Sequence, residues 1–322
     1  MPPNIYEVAR KAGVSIATVS RVLNDTGPVS PATRERVLAA MQALGYRPSA
    51  LGRALAGKRR EAIGLVFPDL AGPYHAGVIS GIEDLAMREH QALLILGTHA
   101  REQAEELVRE LASRVDGLVI TGRTLSDQAV AELWQEGIRI VLLARPKIGE
   151  IPCVQSENVE PARRLAGSLL DRGLQPLFLG DPEASPDVAE RWRGFLEAHR
   201  ERGRSALPPI PTDLRQEGGY RAGLALLRGE PRPRALFCAN DETALGVYQA
   251  AAQLGLRIPE ELAVSGWDDI PQAAYAVPPL TTVRQPIFEL GFEAGRMLVE
   301  LIQGHPVQDL CLPSEVVWRG ST

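Results

Sequence analysis

A chain of 322 residues with 45% hydrophobic content is long enough for one or two substantial cores, and no apolar run reaches membrane-spanning length. The formal charge of −5 conceals a division: residues 1–60 carry ten Lys/Arg against three Asp/Glu, a formal +7, so residues 61–322 stand at −12. A basic head on an acidic body argues against a uniform polyanion binder and points to a polyanion-binding module joined to a part that need not touch the polyanion.

The first fifteen residues, MPPNIYEVARKAGVS, carry charge and no apolar run of signal-peptide length, so a cytoplasmic protein is expected. Asn4 is placed to cap a helix from Ile5, with Glu7 at the capping-box position, Val8 and Ala9 inward and Gly13 at its end. Ser15 caps a second helix running to Asn24, with Val14, Val19, Val22 and Leu23 facing inward. Ser30 and Pro31 open a third, whose predicted apolar stripe is Val37, Leu38, Met41 and Leu44 before Gly45 stops it. Three short helices with a tight turn between the first two make a helix-turn-helix unit, here residues 1–47, which enters a DNA major groove by the start of its second helix. Ile16 and Ala17 lie there, small or apolar where a surface usually carries charge, and suit a thymine methyl. Ser15, Thr18 and Ser20 can reach phosphates or bases, Arg21 and Asn24 reach farther, and Tyr6 joins the DNA-facing candidates. The competing reading is that this face packs on a neighbouring domain.

Residues 48–60 (PSALGRALAGKRR) form a linker with a short helix capped by Ser49, with Ala50 and Ala54 on a small-residue side and Leu51 and Leu55 one turn apart. Gly52 costs it about 1 kcal/mol relative to alanine, and so short a segment is mostly unfolded alone. Leucines beside Arg53, Lys58, Arg59 and Arg60 suit a minor-groove wedge that folds against DNA and a second copy of itself; an ordinary linker is an equal reading.

From residue 61 the chain alternates. Strands AIGLVF, ALLILG, GLVIT and IRIVLLA alternate with helices over 74–89, 101–113 and 126–136, and after a pause at 154–158 the pattern restarts. Helices over 160–171, 187–202, 216–228, 241–254 and 286–303 then accompany strands PLFLG, ALFCA and LAVSGW. Continuous apolar strands between amphipathic helices predict an α/β body, 61–322, of two lobes with parallel sheets. Ligands in such sheets bind beyond the strand carboxyl ends, where Asp69, Tyr74, His75, Arg191, Asn240, Trp267 and Asp268 fall. Arg191, Asn240 and Asp268 offer planar polar groups to sugar hydroxyls, and Tyr74 and Trp267 offer aromatic faces. Asn240 reads equally as a helix cap and Trp267 as core, and for Asp268 the lesser reading is a turn residue. Cys153, Cys238 and Cys311 are distant and in no CxxC spacing, which predicts buried free thiols and no zinc cluster.

The segments IYEVARKAGVSIATVSRVLN, VSPATRERVLAAMQALGYRPS, ALGRALAGK, FCANDETALG, VSGWDDIP and PPLTTVRQP lie in order along essentially the whole chain. Together they resemble the lactose/galactose-repressor (LacI/GalR) family. The resemblance implies an effector-controlled repressor that binds a palindromic operator of double-stranded DNA as a homodimer, with a helix-turn-helix head, a hinge helix and a two-lobed body like the periplasmic binding proteins. It puts the base-reading pair on Ile16 and Ala17, a leucine wedge for a central CG step on Leu55, and effector contacts on Arg191, Asn240 and Asp268. Tyr74 and His75 match an aromatic pair of purine-binding relatives, and Glu157 stands where the family often has aspartate. Gly52 replaces a more common alanine. The expected effector is a sugar; a purine or other corepressor is the alternative within the family.

No HExxH, GxxxxGK[ST] or GxSxG pattern occurs, so neither a catalytic site, a cofactor nor a metal is expected. A solute-binding protein shares the body but not the basic head, and a constitutive nucleoid-type binder would ignore small molecules. No leucine-heptad tail follows CLPSEVVWRGST, so a dimer is expected rather than a tetramer.

Overall fold

Helices α1 (Ile5–Ala12), α2 (Ile16–Asn24) and α3 (Pro31–Leu44) form the head of the computed structural model, which describes residues 3–24, 27–46, 60–69, 71–99 and 101–322. The Asn4 side chain accepts from the Glu7 amide and the Glu7 carboxylate from the Asn4 amide, both at 3.1 Å, completing the capping box. Gly13 ends α1 at φ 64°, Ser15 Oγ accepts from the Thr18 amide at 3.2 Å, and Ser30 caps α3. Val8, Val19 and Val37 are fully buried in one cluster with Ala9, Ala12, Val22 and Ala40. Leu38 departs from the predicted stripe: it is 51% exposed, because the inward positions are Val37, Ala40, Met41 and Leu44 at helical spacing. Ala54 and Leu55, with the rest of 47–59, lie outside the described residues, as does the side chain of Asn24.

The head and the body, Met1–Arg60 and Glu61–Thr322, are separate compact units. The body begins with β1 (Ala62–Phe67), α4 (Pro73–Arg88), β2 (Ala92–Gly97), α5 (Ala104–Ala112), β3 (Gly117–Thr121), α6 (Asp127–Gln135), β4 (Arg139–Leu143) and β5 (Cys153–Ser156). It continues through α7 (Val159–Asp171), β6 (Leu177–Leu179), α8 (Pro186–Glu201), α9 (Gln216–Arg228), β7 (Ala235–Cys238), α10 (Asp241–Gln253), β8 (Ala263–Ser265), α11 (Pro271–Tyr275) and β9 (Thr282–Arg284). α12 (Ile287–Gln303), β10 (Leu310–Leu312) and β11 (Glu315–Val317) complete it.

One lobe holds a parallel sheet in the order β10-β5-β4-β3-β1-β2, the other a parallel sheet β6-β7-β8. β1 shows why the strands read as unbroken apolar runs. Ile63, Leu65 and Phe67 enter the core shared with α4 and α12, while Ala62 and Val66 enter the opposite core shared with α5 and α6. The pause predicted at 154–158 is in fact β5, from which the chain crosses to the second lobe. It returns after β9, which pairs antiparallel with β11, and crosses again between β10 and β11. Strands of three residues, such as β9 to β11, carry too few side chains to show a period. Cys153 and Cys238 are buried as expected, but Cys311 on edge strand β10 is exposed. Among the described residues no helix is long and apolar enough to cross a membrane.

α9 and α10 meet at glycines, and a Cβ on Gly246 would overlap the Gln216 carbonyl oxygen. Gly246→Ala is therefore expected to destabilise the body by about 2 kcal/mol through forced backbone separation, read as a lower urea midpoint with an unchanged slope.

Candidate functional site

The head presents Ile16, 41% exposed, and exposed Ala17 in the first turn of α2. Exposed Tyr6, Ser15 and Arg21 and half-buried Thr18 and Ser20 accompany them. The Ser15 hydroxyl is committed to capping and lies 3.0 Å from the Thr18 hydroxyl, so these two act first as the frame of the helix start. Uncovered apolar side chains at a helix N-terminus, with a cation one turn on, form a surface shaped for base edges and phosphates.

In the body, a cavity of about 330 Å³ lies between the carboxyl ends of the two sheets. Asp69, Tyr74, His75 and Arg123 line it from the first lobe; Asp187, Arg191, Arg215, Asn240, Glu242 and Asp268 line it from the second. Arg191, on α8 and 4% exposed, is fixed on three sides. Its Nε donates to Asn158 Oδ1 at 2.9 Å, its Nη1 donates to the Ala239 carbonyl at 2.7 Å, and its guanidinium lies 4.7 Å over the Trp267 ring. Nη2 stands 3.8 Å from Asp187 Oδ2.

Asp268, just beyond β8, is held at φ 111°, a conformation that non-glycine residues rarely adopt. Its Oδ1 accepts from Gln285 Nε2 at 2.6 Å. Desolvation pushes its carboxyl up to about 7, although Arg191 and Gln285 pull the other way. Burial likewise raises Asp187, against the pull of Arg191. Among the described residues the buried Tyr74 hydroxyl has no hydrogen-bond partner, and burial raises its pKa, reinforced by Asp187 and Asp268. His75 Nδ1 lies 2.7 Å from the Ala71 carbonyl oxygen. Asn240 is a helix cap, its Oδ1 accepting from the Thr243 amide of α10 at 3.0 Å; its Nδ2 donates to the Leu214 carbonyl at 2.7 Å, and the residue lines the cavity.

Among the described residues, three contacts join the lobes at the cleft. Arg215 Nη2 donates to Asp69 Oδ2 at 2.6 Å, Arg123 Nη1 donates to the Glu183 carbonyl at 2.6 Å, and Glu242 abuts Gly72, where a Cβ would overlap its carboxylate.

Two expected cleft residues lie elsewhere. Trp267 is fully buried among Phe178, Phe195 and Phe237 and offers its face to Arg191 rather than to the cavity. Glu157 is outside the cavity lining, its amide tied to the Leu312 carbonyl at 2.8 Å. Its neighbour Asn158, 1% exposed, is the residue that meets Arg191. Sequence reasoning missed Asp187, Arg215 and Glu242. Asp187 had a readable signal, four residues before Arg191 on one helix face; Arg215, in the segment before α9, had none.

The family described as "Bacterial regulatory proteins, lacI family" matches residues 4–49, and "Periplasmic binding protein-like domain" matches 168–322. The transcriptional regulator GalS of Salmonella typhimurium is 36% identical over 92% of this chain and 89% of its own. The ribose operon repressor of Halalkalibacterium halodurans is 33% identical over 99% of this chain and 96% of its own. The lac repressor dimer bound to operator and the anti-inducer ONPF superposes with a TM-score of 0.86 at 29% identity, covering 100% of this chain and 99% of that one. A helix-turn-helix head on a two-lobed parallel α/β body defines a DNA-binding transcriptional regulator. This chain belongs to the LacI family of bacterial regulatory proteins.

Proposed function

We propose that the protein is a cytoplasmic repressor of carbohydrate-related genes, without catalytic activity, that binds a near-palindromic operator as a homodimer and is released by a small sugar-like effector. Residues 1–47 read the half-sites, 48–60 order between the two heads on DNA, and 61–322 hold the effector and the dimer contact. The observation that carries the effector reading is the convergence of Arg191, Asn240 and Asp268 on one cavity between two lobes. Each presents a planar polar group that can serve a hydroxyl-rich ligand. The ribose operon repressor and the lac repressor among its relatives support the same class. A nucleobase corepressor draws on Tyr74 and His75, but their rings meet edge to face at 5.6 Å, which favours a sugar over a base stacked between them.

Release rather than corepression follows from Gly52, which makes a folded hinge easy to lose. Salt-controlled operator titration with and without ligand tests it; tighter DNA binding with ligand would reverse the direction. Selection from a random duplex pool tests the operator, and recovery of no symmetric motif would remove this reading. Ile16→Ala is expected to change base preference in the half-sites by about 1 kcal/mol while sparing phosphate affinity. Equal loss across a panel of altered operators would exclude direct readout by Ile16.

A further inference from the structure

We propose that the effector carries a protonated amine, as an amino sugar does, and that Asp187 and Asp268 hold the ammonium group. This rests on the cleft being the effector site and goes on to the chemical class it selects.

Among the described residues, six carboxylates line the cavity against three guanidinium groups. Two of the three cations are committed across the lobes, Arg215 to Asp69 and Arg123 to the Glu183 carbonyl. The third, Arg191, gives its Nε and Nη1 to neutral acceptors and its face to Trp267, and its closest carboxylate contact is the 3.8 Å to Asp187. Asp187 and Asp268 thus share one cation that hydrogen-bonds to neither of them. Asp187 and Asp268 are 8% and 6% exposed, so water does little to offset the imbalance.

The buried Tyr74 hydroxyl, without a hydrogen-bond partner among the described residues, is an independent sign of a polar group to be met beside them. A neutral sugar offers hydroxyl hydrogens but no compensating charge. An ammonium brings a positive charge and three donors on one nitrogen, enough for both aspartates and the Tyr74 oxygen. An anionic effector such as a sugar phosphate would add to the excess. A metal ion is the other source of charge, and among the described residues no set of three His, Cys, Asp or Glu side chains is placed to ligate one.

Burial raises both aspartates, with Glu190 acting on Asp187, Glu242 on Asp268, and Arg191 opposing on both. A bound cation lowers them again, so binding near neutral pH is accompanied by proton release.

The test is calorimetry of the full-length protein with D-glucosamine, D-galactosamine and D-mannosamine against D-glucose, D-galactose and D-mannose, near about pH 6.5 in buffers of different ionisation enthalpy. The expected result is one amino sugar bound at least about tenfold more tightly than its parent, with proton release. Asp187→Asn, isosteric and neutral, then reduces that advantage to below about threefold, and Asp268→Asn does the same. A neutral sugar that matches or exceeds its amine overturns the inference and leaves the cleft as a sugar site. Binding by none of these sugars overturns both readings.

Discussion

Replacing Arg191 with alanine is expected to weaken effector binding about a hundredfold and to destabilise the body by about 3 kcal/mol. Sequence alone suggests a clean loss of response. The fold adds the second effect, because the guanidinium is also an internal strut. Its removal strands the Asn158 amide oxygen and the Ala239 carbonyl, empties the face of Trp267 and leaves Asp187 and Asp268 without their shared cation. Arg191→Lys keeps a charge but neither the paired donors nor the planar stack, so it should recover only part of either property. Calorimetry and thermal unfolding on the same samples separate the two. Wild-type ligand affinity in the alanine variant would remove Arg191 from the site.

Asp268→Asn is expected to stabilise the body, and by an amount that depends on pH. The unfolded carboxyl titrates near its ordinary value of 3.8 and the folded one at about 7, so the folded state holds the extra proton between those limits. Stability therefore falls as pH rises from about 4 to about 7, and the penalty of burying the ionised form is complete above that, roughly 4 kcal/mol. The asparagine carries no such penalty. Its gain in unfolding free energy should be largest near pH 8 and vanish near pH 4. A difference that stays constant over this range would show that Asp268 does not titrate in this window. Buried, strained at φ 111° and partly ionised at neutral pH, Asp268 opposes folding on three counts.

The head was legible almost to the residue because its signals are local. A capping box, a left-handed glycine and a proline at N1 each act within one helical turn, so Asn4, Glu7, Gly13, Ser30 and Pro31 declare helix ends without reference to anything distant. Leu38 was misplaced because neighbouring helix positions differ by only 100°, and which one turns inward depends on where α1 and α2 lie. The parallel strands were legible too, since burial on both faces leaves an unbroken apolar run, whereas three-residue strands at the crossovers leave none.

By itself, the sequence determined the charge division, the helix-turn-helix unit, the α/β alternation and the candidates Arg191, Asn240 and Asp268. Each follows from composition, from spacing within one element or from position after a strand. Only the tertiary structure decided what those side chains meet. Trp267 became a floor beneath Arg191, Asn158 became the acceptor of its Nε, and Asp187, Glu242 and Arg215 joined the cleft. The physical reason is that desolvation and charge pairing act through space: the atoms that set the electrostatics around Asp268 come from segments near residues 74, 187, 191, 242 and 285, brought together only when two lobes close on one cavity.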